Sequence, residues 1–139
     1  SPAQAAGAAR DKGRRTMGEE IRALDGEEIL AGLAGLAHWR LEAGCLVRDY
    51  RSGGWKATLM VAGVVGHLAE AAWHHPEMEL SWDRVRVRLS THSPRGITAR
   101  DLALARKIEE VVQWQPASEG GALEGTPNAD ERFRYIRYD

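Results

Sequence analysis

The chain has 139 residues, 43% hydrophobic and 28% charged, the balance of one soluble globular domain. Nineteen Lys and Arg against twenty Asp and Glu leave a formal net charge of −1, which gives no electrostatic case for direct nucleic-acid binding or for an anionic membrane surface. The single cysteine, Cys45, excludes an internal disulfide framework and a Cys-rich zinc site, and no apolar run reaches the roughly 18 residues of a membrane span. No membrane association and a cytoplasmic location are expected.

Residues 1–20 read as a flexible leader, because their Ala/Gly-rich start has no large apolar side chain to offset its ordering entropy. Asp25, with Glu28 three residues on, has the form of a capping box. Ile29, Leu30, Leu33 and Leu36 then predict a helical stripe, weakened by Gly32 and Gly35. Residues 38–42 and 46–51 predict two strands joined by a hairpin at Ala43-Gly44. From Trp55 to Trp73 the pattern is helical, and between Ala57 and Trp73 only Thr58, His67 and Glu70 are clearly polar. A helix apolar on most sides is covered on more than one side, so a homodimer or homotetramer is expected, with Gly63 and Gly66 permitting close approach.

His74-His75-Pro76 stops that helix, and residues 77–82 predict a short strand. Val85-Arg86-Val87-Arg88-Leu89 alternates apolar and cationic side chains, the mark of a strand with one wet face. Thr98 and Asp101 form a second capping-box pattern before an amphipathic helix running to about Trp114. The order α-β-β-α-β-β-α predicts an α+β two-layer sandwich, a four-stranded antiparallel sheet with helices on one face. We place the domain at residues 21–115 and a C-terminal extension at 116–139. The end of that extension interleaves Phe133, Tyr135, Ile136 and Tyr138 with Arg132, Arg134 and Arg137, so it is expected to dock, on the protein itself, on a sister subunit or on a protein partner.

His74 and His75 close a helix and His92 closes a strand, and imidazoles are the side chains that exchange protons near neutral pH. Glu70 lies four residues before His74, on the same helical face, and the negative end of the helix dipole favours a protonated ring there. The alternative reading of His-His-Pro is a plain helix stop. No i, i+4 histidine pair or cysteine cluster supports a metal site, so none is expected. His38 and His67 read as structural.

The run Glu70-x-x-x-His74-His75-Pro76, then Trp82, Ser90-Thr91-His92 and Asp101, with Trp39 upstream, resembles the signature of the pterin-4a-carbinolamine dehydratases over about residues 24–114. The resemblance implies removal of water from 4a-hydroxytetrahydropterin to give quinonoid dihydropterin in tetrahydrobiopterin recycling, with no metal and no cofactor. It implies that His74 and His92 transfer protons, aided by His75, and that Glu70, Trp73, Ser90, Thr91, Ser93, Asp101 and Trp39 contact or frame the substrate. Asp101 is also the N3 residue of a capping box, and Trp39 and Trp82 also suit a core. Trp73 departs from the small or acidic residue of many members. Some members act as binding proteins, one assisting a homeodomain transcription factor and another branch the assembly of RuBisCO, so a non-catalytic role through the C-terminal tail is the second expectation.

Overall fold

The computed structural model describes residues 20–126 and 134–139; the leader as far as residue 19, and Arg132 and Phe133 of the tail, lie outside the described residues. The chain forms α1 (Gly26–Gly32), β1 (Arg40–Glu42), β2 (Cys45–Arg51), α2 (Trp55–Ala72), β3 (Glu77–Ser81), β4 (Arg84–Leu89), a two-residue hairpin of β5 (Thr91–His92) and β6 (Arg95–Gly96), and α3 (Ala99–Val112), followed by a 3-10 turn (Pro116–Glu119). The main sheet is antiparallel with strand order β1-β2-β4-β3. This is the α+β sandwich that the alternation of patterns predicts.

Local chemistry explains most boundaries. Asp25 accepts from the Glu28 amide at 2.8 Å while Glu28 reaches back to the Asp25 amide at 3.0 Å, so the capping box starts α1. The helix is shorter than the apolar stripe predicts. It ends at Gly32, and Gly35 turns the chain at φ 82°, so Leu36 enters the core from a turn while Leu30 stays exposed. Ala43 and Gly44 both adopt positive φ, the backbone a tight hairpin requires, and they set the register Glu42↔Cys45.

Register sorts the sheet's faces. Leu46 faces Leu89, and Tyr50 faces Val85, on the helix side, where they join Val61 and Val65 of α2 and Ala105 and Ile108 of α3 in one buried core. The other face is an ion ladder. Arg86 donates to Asp49 at 2.7 and 3.0 Å, Arg88 pairs with Glu79 at 3.1 Å, and Arg40 spans Glu42 and Asp49. α2 buries Ala57, Thr58, Val61, Val65 and Ala69 and leaves Trp55, Leu59 and Met60 exposed.

β2 breaks the alternation twice: Val47 is buried on the ion-ladder face, and Arg48 puts a charge on the apolar one. Arg48 pairs with Val87, on the helix side, and is 2% exposed. Its guanidinium clasps Glu109 of α3 at 3.0 and 3.1 Å, reaches Asp139 at 2.9 Å, and lies 4.4 Å from the centre of the Tyr50 ring. Glu109 also accepts from the Tyr50 hydroxyl at 2.6 Å and from Trp39 Nε1 at 3.0 Å. Burial pushes the Glu109 carboxyl up, but the hydrogen bonds from Arg48 and Tyr50 outweigh it and hold the group below its ordinary value of 4.5.

The tail docks on this corner of its own chain. Ile136 is buried and bridges Ser52, the Arg137 amide donates to the Arg51 carbonyl at 2.9 Å, and the Gly53 amide donates to the Tyr135 carbonyl at 3.2 Å. Among the described residues, the end of the tail therefore packs on its own chain.

Three outcomes follow from this corner. Glu109→Gln leaves the Arg48 charge buried with one carboxylate partner fewer, and urea unfolding should show a loss of about 3 kcal/mol. A depressed carboxyl stabilises the fold fully above its unfolded pKa, and that stabilisation fades as pH falls through the lower folded value. Wild-type stability should therefore drop below about pH 4.5, with a shallower acid slope in Glu109→Gln. Removing residues 134–139 should lower the melting temperature; an unchanged melting curve would contradict the docking.

Candidate active site

The site begins where α2 ends. The His74 amide donates to the Ala69 carbonyl at 3.1 Å and the Trp73 amide to the Glu70 carbonyl at 3.2 Å, the paired bonds of a Schellman motif. Its left-handed position, normally glycine, is held by Trp73 at φ 53° and ψ 47°. That reversal sends the two histidines in different directions. His74 turns inward and is 13% exposed, whereas the His75 side chain is half exposed.

His74 Nε2 lies 2.6 Å from Oδ1 of Asp101, a residue with no solvent exposure. The other oxygen of Asp101 accepts from the Thr98 amide at 2.8 Å and from the Thr91 hydroxyl at 2.6 Å, and the two threonine hydroxyls lie 2.9 Å apart. Thr98 caps α3 in return, so the capping box is complete. One oxygen of Asp101 closes the cap and the other holds the imidazole. With Asp101 ionised, Nε2 carries the hydrogen and Nδ1 is the nitrogen left for chemistry.

Glu70 departs from the expected geometry. Helical spacing predicts that it faces His74; instead its carboxylate lies 2.8 Å from Nε2 of His75. The reason is the Trp73 reversal, which ends the 3.6-residue progression before His74. Trp73, 76% exposed, meets the His75 ring edge-on at 4.9 Å between centroids. Glu70, Trp73 and His75 form an outer rim, distinct from the buried His74–Asp101 pair.

The β5–β6 hairpin contributes Thr91, which is bonded to Asp101. His92, the next residue along β5, is exposed and is not among the residues that bound the cleft beside His74. Ser90 is half-buried at the end of β4 and Ser93 is exposed in the hairpin turn. Trp39 does not join this group. Its indole is bound to Glu109, eight residues beyond Asp101 on α3, and it belongs to the Arg48 cluster as a buried core residue. Among the described residues, no group of three or more His, Cys, Asp or Glu is placed to hold a metal ion, and no helix is long and apolar enough to cross a membrane.

A cleft of about 470 Å³ opens between α2 and α3 with His74 in its wall, bounded also by Leu68, Ala72, Arg100, Leu104 and Lys107. Arg100 and Lys107 are not singled out by the histidine motif. Their signal in the sequence is the spacing 100, 103, 104, 107, one face of α3.

The domain is thus a two-layer α+β sandwich in which an imidazole, held by a carboxylate with no solvent exposure, borders an open cleft. The family model described as Pterin 4 alpha carbinolamine dehydratase matches residues 22–111, and the chain belongs to that family. Proteins named "Putative pterin-4-alpha-carbinolamine dehydratase" are similar to it: one from Aquifex aeolicus at 39% identity, covering 67% of this chain and 94% of that protein, and one from Chloroflexus aurantiacus at 40% identity, covering 61% and 91%. A crystal structure titled as a transcriptional coactivator/pterin dehydratase from Brucella melitensis superposes with a TM-score of 0.61 at 27% identity, covering 65% of this chain and 98% of that one.

The shared carboxylate makes Asp101→Asn informative. The amide keeps the size but replaces one acceptor oxygen with a donor, so either the cap or the imidazole loses its partner. A loss of about 1 kcal/mol or more in stability is expected. In nitrogen NMR, a His74 ring that faces the new amide donor should lose its Nε2–H tautomer; an unaltered ring spectrum together with unaltered stability would contradict the assigned geometry.

Proposed function

We propose that this protein is a hydro-lyase that dehydrates 4a-hydroxytetrahydropterin to quinonoid dihydropterin. The observation that carries this reading is the His74–Asp101 pair: a fixed imidazole, backed by a carboxylate with no solvent exposure, in the wall of a cleft of ligand size. In the reaction the C4a–O bond breaks as the departing hydroxyl takes up a proton and leaves as water. N5 gives up its proton, and its electron pair forms the new C=N bond to C4a. Two groups that exchange protons are needed, and His74 and His92 are the two we assign. Asp101 orients His74 and steadies its cationic form after it gains a proton. Glu70 orients His75 at the rim. Regenerating a hydroxylase's tetrahydropterin cofactor is the setting this chemistry suits.

We further propose that the working form is a homo-oligomer. Trp55, Leu59 and Met60 on α2, with Trp82 next to the edge strand β3, leave an apolar surface in water that a second copy would cover. A dimer or larger mass by light scattering at micromolar concentration is expected, and a monomer would contradict it.

The dehydratase reading is tested on chemically generated 4a-hydroxytetrahydropterin. His74→Ala and His92→Ala should each lower the rate by roughly 10²–10⁴, the usual worth of a positioned acid or base. Wild-type turnover equal to the spontaneous rate would overturn the reading and favour a binding role for this fold.

A further inference from the structure

The cleft beside His74 carries a charge pattern that dehydration itself does not call for. Leu68, Ala71, Ala72, Ala103 and Leu104 give it apolar walls, and three of these five side chains are single methyl groups that leave the space between α2 and α3 open. Its charged lining is cationic: Arg100 and Lys107, with no acidic side chain in the wall. These two lie seven residues apart on α3, about 10 Å along its axis. Arg100 is the second residue of the helix, directly before Asp101, so its position along the chain is tied to the carboxylate that holds His74.

Neither cation is committed to the fold. The Arg100 guanidinium makes no hydrogen bond or ion pair with another described residue; only its backbone amide is engaged, by Thr98. Lys107 meets Glu110 at 3.2 Å in a pair exposed on both sides, the kind that contributes little and exchanges readily. By contrast Arg106, between them in sequence but on another face, is bonded to the Gly32 carbonyl.

Planar heteroaromatic rings suit apolar walls, and cations that are free, as Arg100 is, or held only in an exposed pair, as Lys107 is, attract an anionic substituent. Resting on the pterin reading of the His74 site, we infer that Arg100 and Lys107 make the cleft selective for pterins whose ring side chain ends in a carboxylate or a phosphate. The ring lies against the alanine-lined walls with its reacting edge toward His74, and the side chain runs along α3 to the two cations. Arg100, nearer the chemistry, serves a short side chain, and Lys107 a longer one.

Pterin fluorescence provides a direct test without turnover. Three stable oxidised ligands are titrated into the full chain: 6-hydroxymethylpterin, its phosphate monoester and pterin-6-carboxylate. The anionic ligands should bind about tenfold more tightly than the neutral one at low ionic strength, and the advantage should shrink as salt is raised to about 0.5 M. Arg100→Gln and Lys107→Gln, both at exposed positions, should each reduce the ratio of anionic to neutral affinity. Whether the phosphate or the carboxylate is favoured identifies the group recognised. Equal affinity for all three ligands, or a preference that survives both substitutions, would overturn the inference while leaving the pterin reading intact. Binding of none of the three would overturn both.

Discussion

A carboxylate removed from water has to find donors for both of its oxygens, and Asp101 finds them on three separate pieces of chain. The Thr98 amide belongs to the start of α3, the Thr91 hydroxyl to the β5–β6 hairpin and His74 to the exit from α2. Each alone is a modest hydrogen bond. Together they hold the exit from α2 against the β5–β6 hairpin and the start of α3, and leaving any one donor or acceptor unmatched in this dry setting costs more than the bond itself returns. The imidazole is thereby oriented by the same interaction that starts a helix, so the site is as rigid as the helix terminus it borders.

The second buried charge system sits at the other end of α3. Arg48 interrupts an otherwise apolar strand face, and Glu109 collects donors from Arg48, Tyr50 and Trp39. A hydrophobic residue in place of Arg48 would pack more simply; what the arginine adds is direction, because its planar fork is satisfied in only one register of β2 against α3. α3 is thus pinned at both ends by carboxylates, Asp101 near its first turn and Glu109 near its last. The cleft between α2 and α3 lies along the stretch so held.

Much of this was legible in the sequence. Alternation in residues 85–89 reads directly as β4, and the two capping boxes fall where Asp25 and Thr98 place them, because such signals are local. Family membership follows from the histidine spacing. Three things escaped. Arg48 lies in a strand of mixed polarity, and nothing nearby in sequence shows that its counter-charge sits 61 residues away. Glu70 was expected at His74 because helical spacing assumes the helix continues, and Trp73 is not a residue type that announces a left-handed turn. Trp39 matches a motif position yet is spent on Glu109, since an indole N–H in a core takes the acceptor that the tertiary fold offers.

The long reach of the Arg48 pairings bears on how the chain can be made. β2 leaves the ribosome with a guanidinium on the face that must become dry, while its carboxylate partners follow 61 and 91 residues later. Until Glu109 emerges, collapse of the β1–β2 hairpin onto α2 would bury a charge with nothing opposite it. A compact form that lacks α3 therefore carries the cost of a buried charge without its carboxylate. The Arg48 pairings are therefore complete only when nearly the whole domain is present.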